Sequence, residues 1–233
     1  MTKILAITLA RGGSKKIKNK NIVLIKKKPL IYYTIKEAKK SKLINDYIVS
    51  TDSLKIANVS KKCGAEVPFL RPKFLSTDKS KSIDALIHAV KFMEKLRGFK
   101  YDIIIELMAT NPLKTYKDID KIISSMIRMK YDSMIAVNRL LDQHPARIKK
   151  IVKNKLVDFD FREPLESRRQ DLKPKAYIRS GAIYGMRRNF LIKKLRYKSG
   201  ISVPYVLDSK KSLNIDEPQD LMLAKIILDE KKS

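Results

Sequence analysis

The sequence predicts an α/β protein built on a doubly wound sheet. Apolar runs of strand length alternate with amphipathic runs of helix length. The strand-length runs are apolar throughout, as in strands buried on both faces. A length of 233 residues with 44% hydrophobic content is enough for one sizeable core, so a single domain is expected over residues 1–233. No apolar run approaches the roughly 18 residues of a membrane span.

Lys3 to Leu9 is the first strand. It is read as core and not as a signal peptide, because it runs straight into a glycine loop. Pro29 to Ser41 has helical spacing with proline at its start. Asp46 to Thr51 is a strand, Ser53 to Cys63 a helix stopped by Gly64, and Glu66 to Leu70 a short strand. Ser82 to Leu96 reads as a long helix and Tyr101 to Leu107 as a buried strand. Lys117 to Met129 is the next helix, followed by a strand from Ser133 to Val137.

The rhythm breaks between about Arg139 and Tyr177, a polar stretch holding Pro145, Pro164 and Pro174. Apolar residues still alternate in Lys149 to Val152 and Leu156 to Phe161, so an inserted hairpin is expected instead of a linker. The α/β pattern resumes with strands at Gly181 to Met186 and Val203 to Leu207. It closes with a helix from Pro218 to Leu228.

The formal net charge of +28 alone suggests nucleic acid or an anionic membrane as partner. The lysines are spread along the whole chain, however, and no aromatic platform accompanies them. Nucleic acid is therefore a disfavoured partner and no membrane partner is expected. The single cysteine, Cys63, forms no intrachain disulfide and fits a reducing cytoplasm. With only His88 and His144 beside it, a zinc cage is not expected.

The densest chemistry lies in Leu9 to Asn21, L-A-R-G-G-S-K-K-I-K-N-K-N. A cationic glycine loop at a strand end is a place to hold phosphates. Gly12 and Gly13 permit a sharp turn and close backbone approach. Arg11, Lys15 and Lys20 supply charge, while Ser14 and Asn21 supply neutral hydrogen bonds. The loop matches neither G-x-x-x-x-G-K-[ST] nor G-x-G-x-x-G, and a solvated basic turn is the plainer reading. Its place directly after an N-terminal strand favours phosphate.

Other positions carry two readings each. Ser80 and Ser82 suit a helix N-cap or a ligand wall. Asp216, just before Pro218, is a helix cap or a metal ligand. Arg71, wedged before Pro72, is a surface ion pair or a nucleotide contact. Asp52 follows a strand and faces the same end of the sheet.

Eight motifs now stand in order: L-A-R-G-G-S-K, K-N at Lys20, S-T-D at Ser50, V-P-F-L-R-P at Val67, A-T-N-P-L at Ala109, R-R-Q-D-L at Arg168, S-G-A-I-Y at Ser180 and N-I-D-E-P-Q-D-L at Asn214. Together they resemble the acylneuraminate cytidylyltransferases, over essentially the whole chain. The resemblance implies a Rossmann-like nucleotide-diphospho-sugar transferase fold with a mixed sheet. It implies a homodimer formed partly through 139–177; the residual apolar alternation there predicts that Leu156, Val157 and Phe161 bury against the partner. The implied reaction joins CTP to a nonulosonic acid, giving a CMP-sugar and pyrophosphate, with magnesium offsetting the triphosphate charge.

Carried over position by position, Arg11, Gly12, Gly13, Ser14, Lys15, Asn21, Arg71, Ser80 and Ser82 would bind the nucleotide. Arg11, Lys20 and Asp216 would be catalytic. Asp216 would hold the metal, with Asn214 as an auxiliary ligand. Met108, Thr110, Arg179 and Ser180 would meet the acid sugar.

Three departures stand out. The family's Q-P-T-S-P-L-R is M-A-T-N-P-L-K here, from Met108 to Lys114. Its R-P-N-G-A-I-Y is I-R-S-G-A-I-Y, which displaces the arginine by one place to Arg179. In a regular strand that shift sends the side chain to the opposite face. Its D-I-D is N-I-D, so Asn214 replaces an acid. The nucleotide-handling positions are mostly kept while the sugar-facing ones differ. This suggests a nonulosonate other than N-acetylneuraminate, such as a legionaminate or pseudaminate. A 3-deoxy-manno-octulosonate cytidylyltransferase is the alternative; the insertion and R-R-Q-D-L favour the sialate branch.

Overall fold

Along the first strand, β1 (Ile4–Leu9), successive side chains leave on opposite faces and both faces are covered. Ile4 and Ala6 enter one core with Ile119, Ile122 and Met126. Leu5 and Ile7 enter the other with Leu86, Val90 and Met93. The computed structural model describes residues 2–164, 168–195 and 201–230.

After β1 come two short pairing strands, β2 (Leu24–Ile25) and β3 (Lys28–Pro29), and helix α1 (Leu30–Lys40). They are followed by β4 (Asp46–Ser50), α2 (Leu54–Lys62), α3 (Ser82–Arg97), β5 (Ile103–Leu107), α4 (Tyr116–Met129) and β6 (Ser133–Arg139). A hairpin of β7 (Lys149–Val152) and β8 (Lys155–Asp158) precedes β9 (Tyr177–Arg187) and α5 (Arg188–Ile192). The chain ends with β10 (Val203–Val206) and α6 (Pro218–Glu230).

Six strands form the central sheet in the order β10-β6-β9-β5-β1-β4. Neighbours are parallel except at β9, which runs antiparallel to both β5 and β6. This is the mixed, mostly parallel α/β sheet flanked by helices that the sequence predicts. Local signals set the helix ends. Ser53 Oγ accepts from Ile56 N at 3.4 Å at the start of α2. Asp118 Oδ2 accepts from Thr115 N at 2.9 Å at the start of α4.

Three expectations need correction. Glu66 to Leu70 is not a strand: only the isolated bridges Ile48–Glu66 and Thr51–Leu70 touch the sheet, so the segment merely crosses the edge of β4. The insertion is narrower than Arg139 to Tyr177, because both of those residues pair in the sheet as the last of β6 and the first of β9. Leu140 N donates to Ala176 O at 2.9 Å and continues that pairing outward. Residues 165–167 of this stretch lie outside the described residues.

The third correction concerns strand parity in β9. Pairing with β6 jumps from Ile135–Tyr184 to Val137–Arg179, a bulge centred on Gly181. Gly181 has φ +63°, and a Cβ there would lie 3.2 Å from the Asn214 side chain, so glycine is needed on both counts. The bulge breaks alternation, and Arg179 lines the cleft together with its neighbour Ser180 instead of facing away.

Candidate active site

At the C-terminal end of β1 the chain leaves the sheet, at the edge where open α/β sheets take ligands. Ala10 N donates to Ser50 O at 3.0 Å and Gly12 N to Asp52 Oδ1 at 3.0 Å, fastening the loop to the end of β4. Asn21 is buried, and its Nδ2 donates to Arg11 O at 3.1 Å. Its amide therefore staples the loop from within. A Cβ on Gly12 would lie 3.1 Å from Ser53 Cβ, whereas Gly13 faces open space. The close approach at Gly12 is thus to the start of α2 and not to a ligand, and neither glycine lines the cleft. Asp52 is likewise held behind the loop, between Gly12 N and Arg71, with Arg71 Nη2 at 3.8 Å.

The cleft has two lobes. The first, of about 790 Å³, is lined by Arg11, Ser14, Lys15, Lys20, Asn21, Arg71, Ser80 and Ser82 from the predicted set. Arg71 is buried; its Nε donates to Ser76 Oγ at 2.9 Å, and its backbone N to Thr51 O at 2.8 Å. Burial lowers the pKa of its guanidinium, Asp52 opposes that shift, and arginine stays charged regardless. Ser80 does not cap α3. Its hydroxyl donates to Phe74 O at 2.7 Å and accepts from Thr77 N at 3.0 Å, which closes the loop ahead of the helix. Ser82 is the first residue of α3.

Among the described residues, four of the loop's five cations carry carboxylate partners. Arg11 and Lys15 reach Asp78 at 3.0 and 2.6 Å, Lys16 meets Glu217, and Lys20 meets Asp216 at 2.7 Å. Hydrogen bonding from Lys15 holds the Asp78 carboxyl below the usual carboxylate range.

The second lobe, of about 970 Å³, is lined by Arg179, Ser180 and Asn214 from the predicted set, with Asn138, Gln143, Leu141 and Ile178. Lys20, Met108, Thr110, Tyr184 and Asp216 line both lobes. The predicted sugar-facing and nucleotide-facing residues therefore meet along one shared wall.

Asp216 sits on that wall. It is not the cap of α6: Asp220 Oδ2 takes both Asp216 N at 2.8 Å and Glu217 N at 2.7 Å. The Asp216 side chain is left for Lys20 and for Asn214, whose Nδ2 donates at 2.6 Å. That bond fixes the amide orientation and leaves Asn214 Oδ1 buried with no hydrogen-bond donor. Among the described residues no three histidine, cysteine or acidic side chains converge as a metal cage. The Asp216 carboxylate fits a hard cation that takes its remaining oxygens from phosphates, while Asn214 turns its N–H and not its carbonyl toward that carboxylate.

Sequence reasoning missed Asp78, Glu106, Tyr184 and Lys114. Glu106 had a signal: an acid inside the apolar strand I-I-I-E-L, here buried and lining the first lobe. Asp78, in the polar run S-T-D-K-S, reads as any exposed loop acid. Lys114 is fully buried, and its Nζ donates to Thr34 Oγ1, Met108 O and Asn111 O. Burial pushes its pKa down to about 7, against the nearby charge of Glu37.

A doubly wound sheet with a phosphate-type loop at its C-terminal edge and a two-lobed cleft defines a nucleotidyltransferase-like α/β protein. Residues 5–225 match the family model described as Cytidylyltransferase, and the chain belongs to that family. It is 34% identical to a pseudaminic acid cytidylyltransferase of Campylobacter jejuni, over 97% of this chain and 96% of the relative. It is 30% identical to an N-acylneuraminate cytidylyltransferase of Escherichia coli, over 100% of this chain and 53% of the longer relative. The solved structure of a CMP:2-keto-3-deoxy-manno-octonic acid synthetase complexed with CTP superposes with a TM-score of 0.73 at 18% identity, covering 99% of this chain and 100% of that one. The protein is therefore a nucleotidyltransferase enzyme, and its resemblance to the acylneuraminate cytidylyltransferases holds along the whole chain. Among the described residues no helix is long and apolar enough to cross a membrane.

Proposed function

We propose that this enzyme joins CTP to a nonulosonic acid, producing a CMP-sugar and pyrophosphate. The observation that carries this reading is the cleft of two lobes sharing one wall, with the cationic loop on one side and a mixed polar and apolar surface on the other. Relatives named for pseudaminic and N-acylneuraminic acid chemistry support it. Arg11, Ser14, Lys15, Lys20 and Arg71 bind the triphosphate, and Ser80 and Ser82 wall the base. Gly12, Gly13 and Asn21 shape the loop. The acid sugar lies in the second lobe, its carboxylate toward Arg179 and its polar groups toward Thr110, Ser180 and Asn214.

The anomeric oxygen bonds to the α-phosphorus as the bond from that phosphorus to the α,β-bridging oxygen breaks. The hydroxyl proton is released and pyrophosphate leaves. The protein's contribution is alignment and charge stabilisation by fixed cations. Asp216 would hold magnesium, with Asn214 as an auxiliary ligand once its amide turns, and the ion when bound neutralises triphosphate charge. Arg11 and Lys20 stabilise the charge that develops on the phosphates. Met108, in place of the family's glutamine, with Leu141 and Ile178 makes one side of the lobe apolar, which favours a legionaminate- or pseudaminate-type sugar over N-acetylneuraminate.

The hairpin supports a homodimer. Its turn has φ +47° at Lys153 and +62° at Asn154, the positive values that close a two-residue loop. The cross-strand pair Ile151 and Leu156 is 76% and 71% exposed, and Phe159 and Phe161 are exposed beside it. A lone two-stranded hairpin showing that much apolar surface needs a cover, and a second copy supplies one isologously. Light scattering at micromolar concentration tests this, with a monomer as the contrary result. A cytoplasmic setting, where CTP is available, completes the reading.

Pyrophosphate release with CTP, magnesium and a panel of nonulosonic acids tests the reaction. Release that depends on both CTP and an acid sugar is expected. Release indifferent to the sugar, or equal with ATP, GTP and UTP, would count against it.

A further inference from the structure

The wall shared by the two lobes takes Met108 and Thr110 from the segment between β5 and α4, which runs on to Lys114 and belongs to no helix or strand. An irregular segment with substrate on both sides must be held from within. Lys114 holds it. The residue is 1% exposed, and its Nζ donates to Met108 O at 2.6 Å, Asn111 O at 2.6 Å and Thr34 Oγ1 at 2.7 Å. Three acceptors match the three N–H groups of an ammonium. Among the described residues no carboxylate forms an ion pair with it. A charge buried on neutral acceptors, with only the nearby charge of Glu37 to offset it, is costly, and an apolar side chain of similar volume would fill the space at less cost. What the amine provides in return is the set of oxygens, two carbonyls and a hydroxyl, that its protonated form gathers.

Those carbonyls belong to a segment that ties the lobes together. Met108 N donates to Ala182 O at 3.0 Å on β9, inside the bulge. Thr110 O accepts from Ile215 N at 2.8 Å, one residue before Asp216. We propose that Lys114 is a positioning residue: its ammonium fixes the shared wall, and so the alignment of the sugar's attacking oxygen with the α-phosphorus. This rests on the reading of the cleft given above. The cations that hold the triphosphate lie elsewhere, so loss of Lys114 spares nucleotide binding and harms alignment.

The test compares Lys114→Met, which keeps bulk and removes the donors, with Thr34→Val, which removes one acceptor from α1 together with that hydroxyl's own 3.3 Å bond to Met108 O. Misplacing a reacting group by about 1 Å costs on the order of 100-fold in rate. Lys114→Met is expected to lower kcat by about that factor with the KM for CTP changed less than about threefold, and Thr34→Val to lower kcat by about tenfold. In protein carrying carbon-13 methionine methyls, the Met108 resonance, assigned with Met108→Leu, shifts in both variants without substrate. Those of Met93 and Met126, in the two sheet cores, stay. The methyl spectrum needs no turnover, so it decides this proposal even if the wild type shows no sugar-dependent release and the reaction itself is refuted. If Lys114→Met does not fold, Lys114→Gln, which removes the ammonium but keeps an amide donor, is read in its place. An unmoved Met108 resonance, an unchanged kcat in Thr34→Val, or equal changes in kcat and KM for CTP would overturn the assignment.

Discussion

The first lobe takes Arg11, Ser14, Lys15, Lys20 and Asn21 from one run of eleven residues, and Arg71 to Ser82 from a second. The second lobe takes Asn138, Gln143, Arg179 and Asn214 from segments that meet only in the folded sheet. The first is a set of cations already held by carboxylates, while the second mixes amides, hydroxyls and arginine with Leu141 and Ile178. The contrast follows from the ligands proposed. A triphosphate asks for clustered positive charge, which one loop after one strand supplies. A branched acid sugar asks for donors from several directions, which no single segment supplies.

The sharpest way to break this division is to alter the residue on the border. Asp216→Asn is expected to reduce turnover on the order of 100- to 1,000-fold across a magnesium titration. The melting temperature should barely move, because Asp220 and not Asp216 takes the backbone donors at the start of α6. Near-normal turnover would leave the Lys20 pairing as the whole role of Asp216. Asn214→Asp should be tolerated.

A change confined to the first lobe comes next. Arg71→Ala removes a buried guanidinium, a loss of about 2 kcal/mol for a charged hydrogen-bonding group. The KM for CTP is expected to rise about 30-fold and the KM for the acid sugar to hold steady. Equal increases in both would mean that the lobes do not divide the substrates.

The smallest effect is expected at Asp78. Asp78→Asn frees Arg11 and Lys15 from an exposed carboxylate that competes with phosphate. The KM for CTP should fall about twofold to fivefold at low ionic strength, and the gain should shrink near 1 M salt, where exposed charges are screened. A raised KM would instead make Asp78 a support that holds the cations ready.

The same contrast decides what was legible in the sequence. The loop from Arg11 to Asn21 was legible because its chemistry is contiguous and follows a strand whose burial is plain from I-L-A-I-T-L. The strand and helix order was legible for the same reason, since periodicity is local. Arg179 was misread because its facing depends on a bulge at Gly181, where a positive φ and the Asn214 side chain, more than thirty residues further on, call for glycine. The cap reading of Ser80 failed because its hydroxyl serves Phe74 O, a turn no cap rule covers, while its place in the first lobe agrees with the other reading. Lys114 escaped notice because lysine is ordinarily a surface residue, and only the fold shows three oxygens around it.

The most direct test of the central claim traces the attacking oxygen. A nonulosonic acid labelled with oxygen-18 at the anomeric hydroxyl is incubated with CTP, magnesium and the enzyme, and the products are weighed by mass spectrometry and resolved by phosphorus NMR. The label is expected in the bridge between the sugar and the α-phosphorus of the CMP-sugar, with unlabelled pyrophosphate released in equal amount. Label lost to water, label found in pyrophosphate, or no CMP-sugar formed from any nonulosonic acid tried would contradict the account.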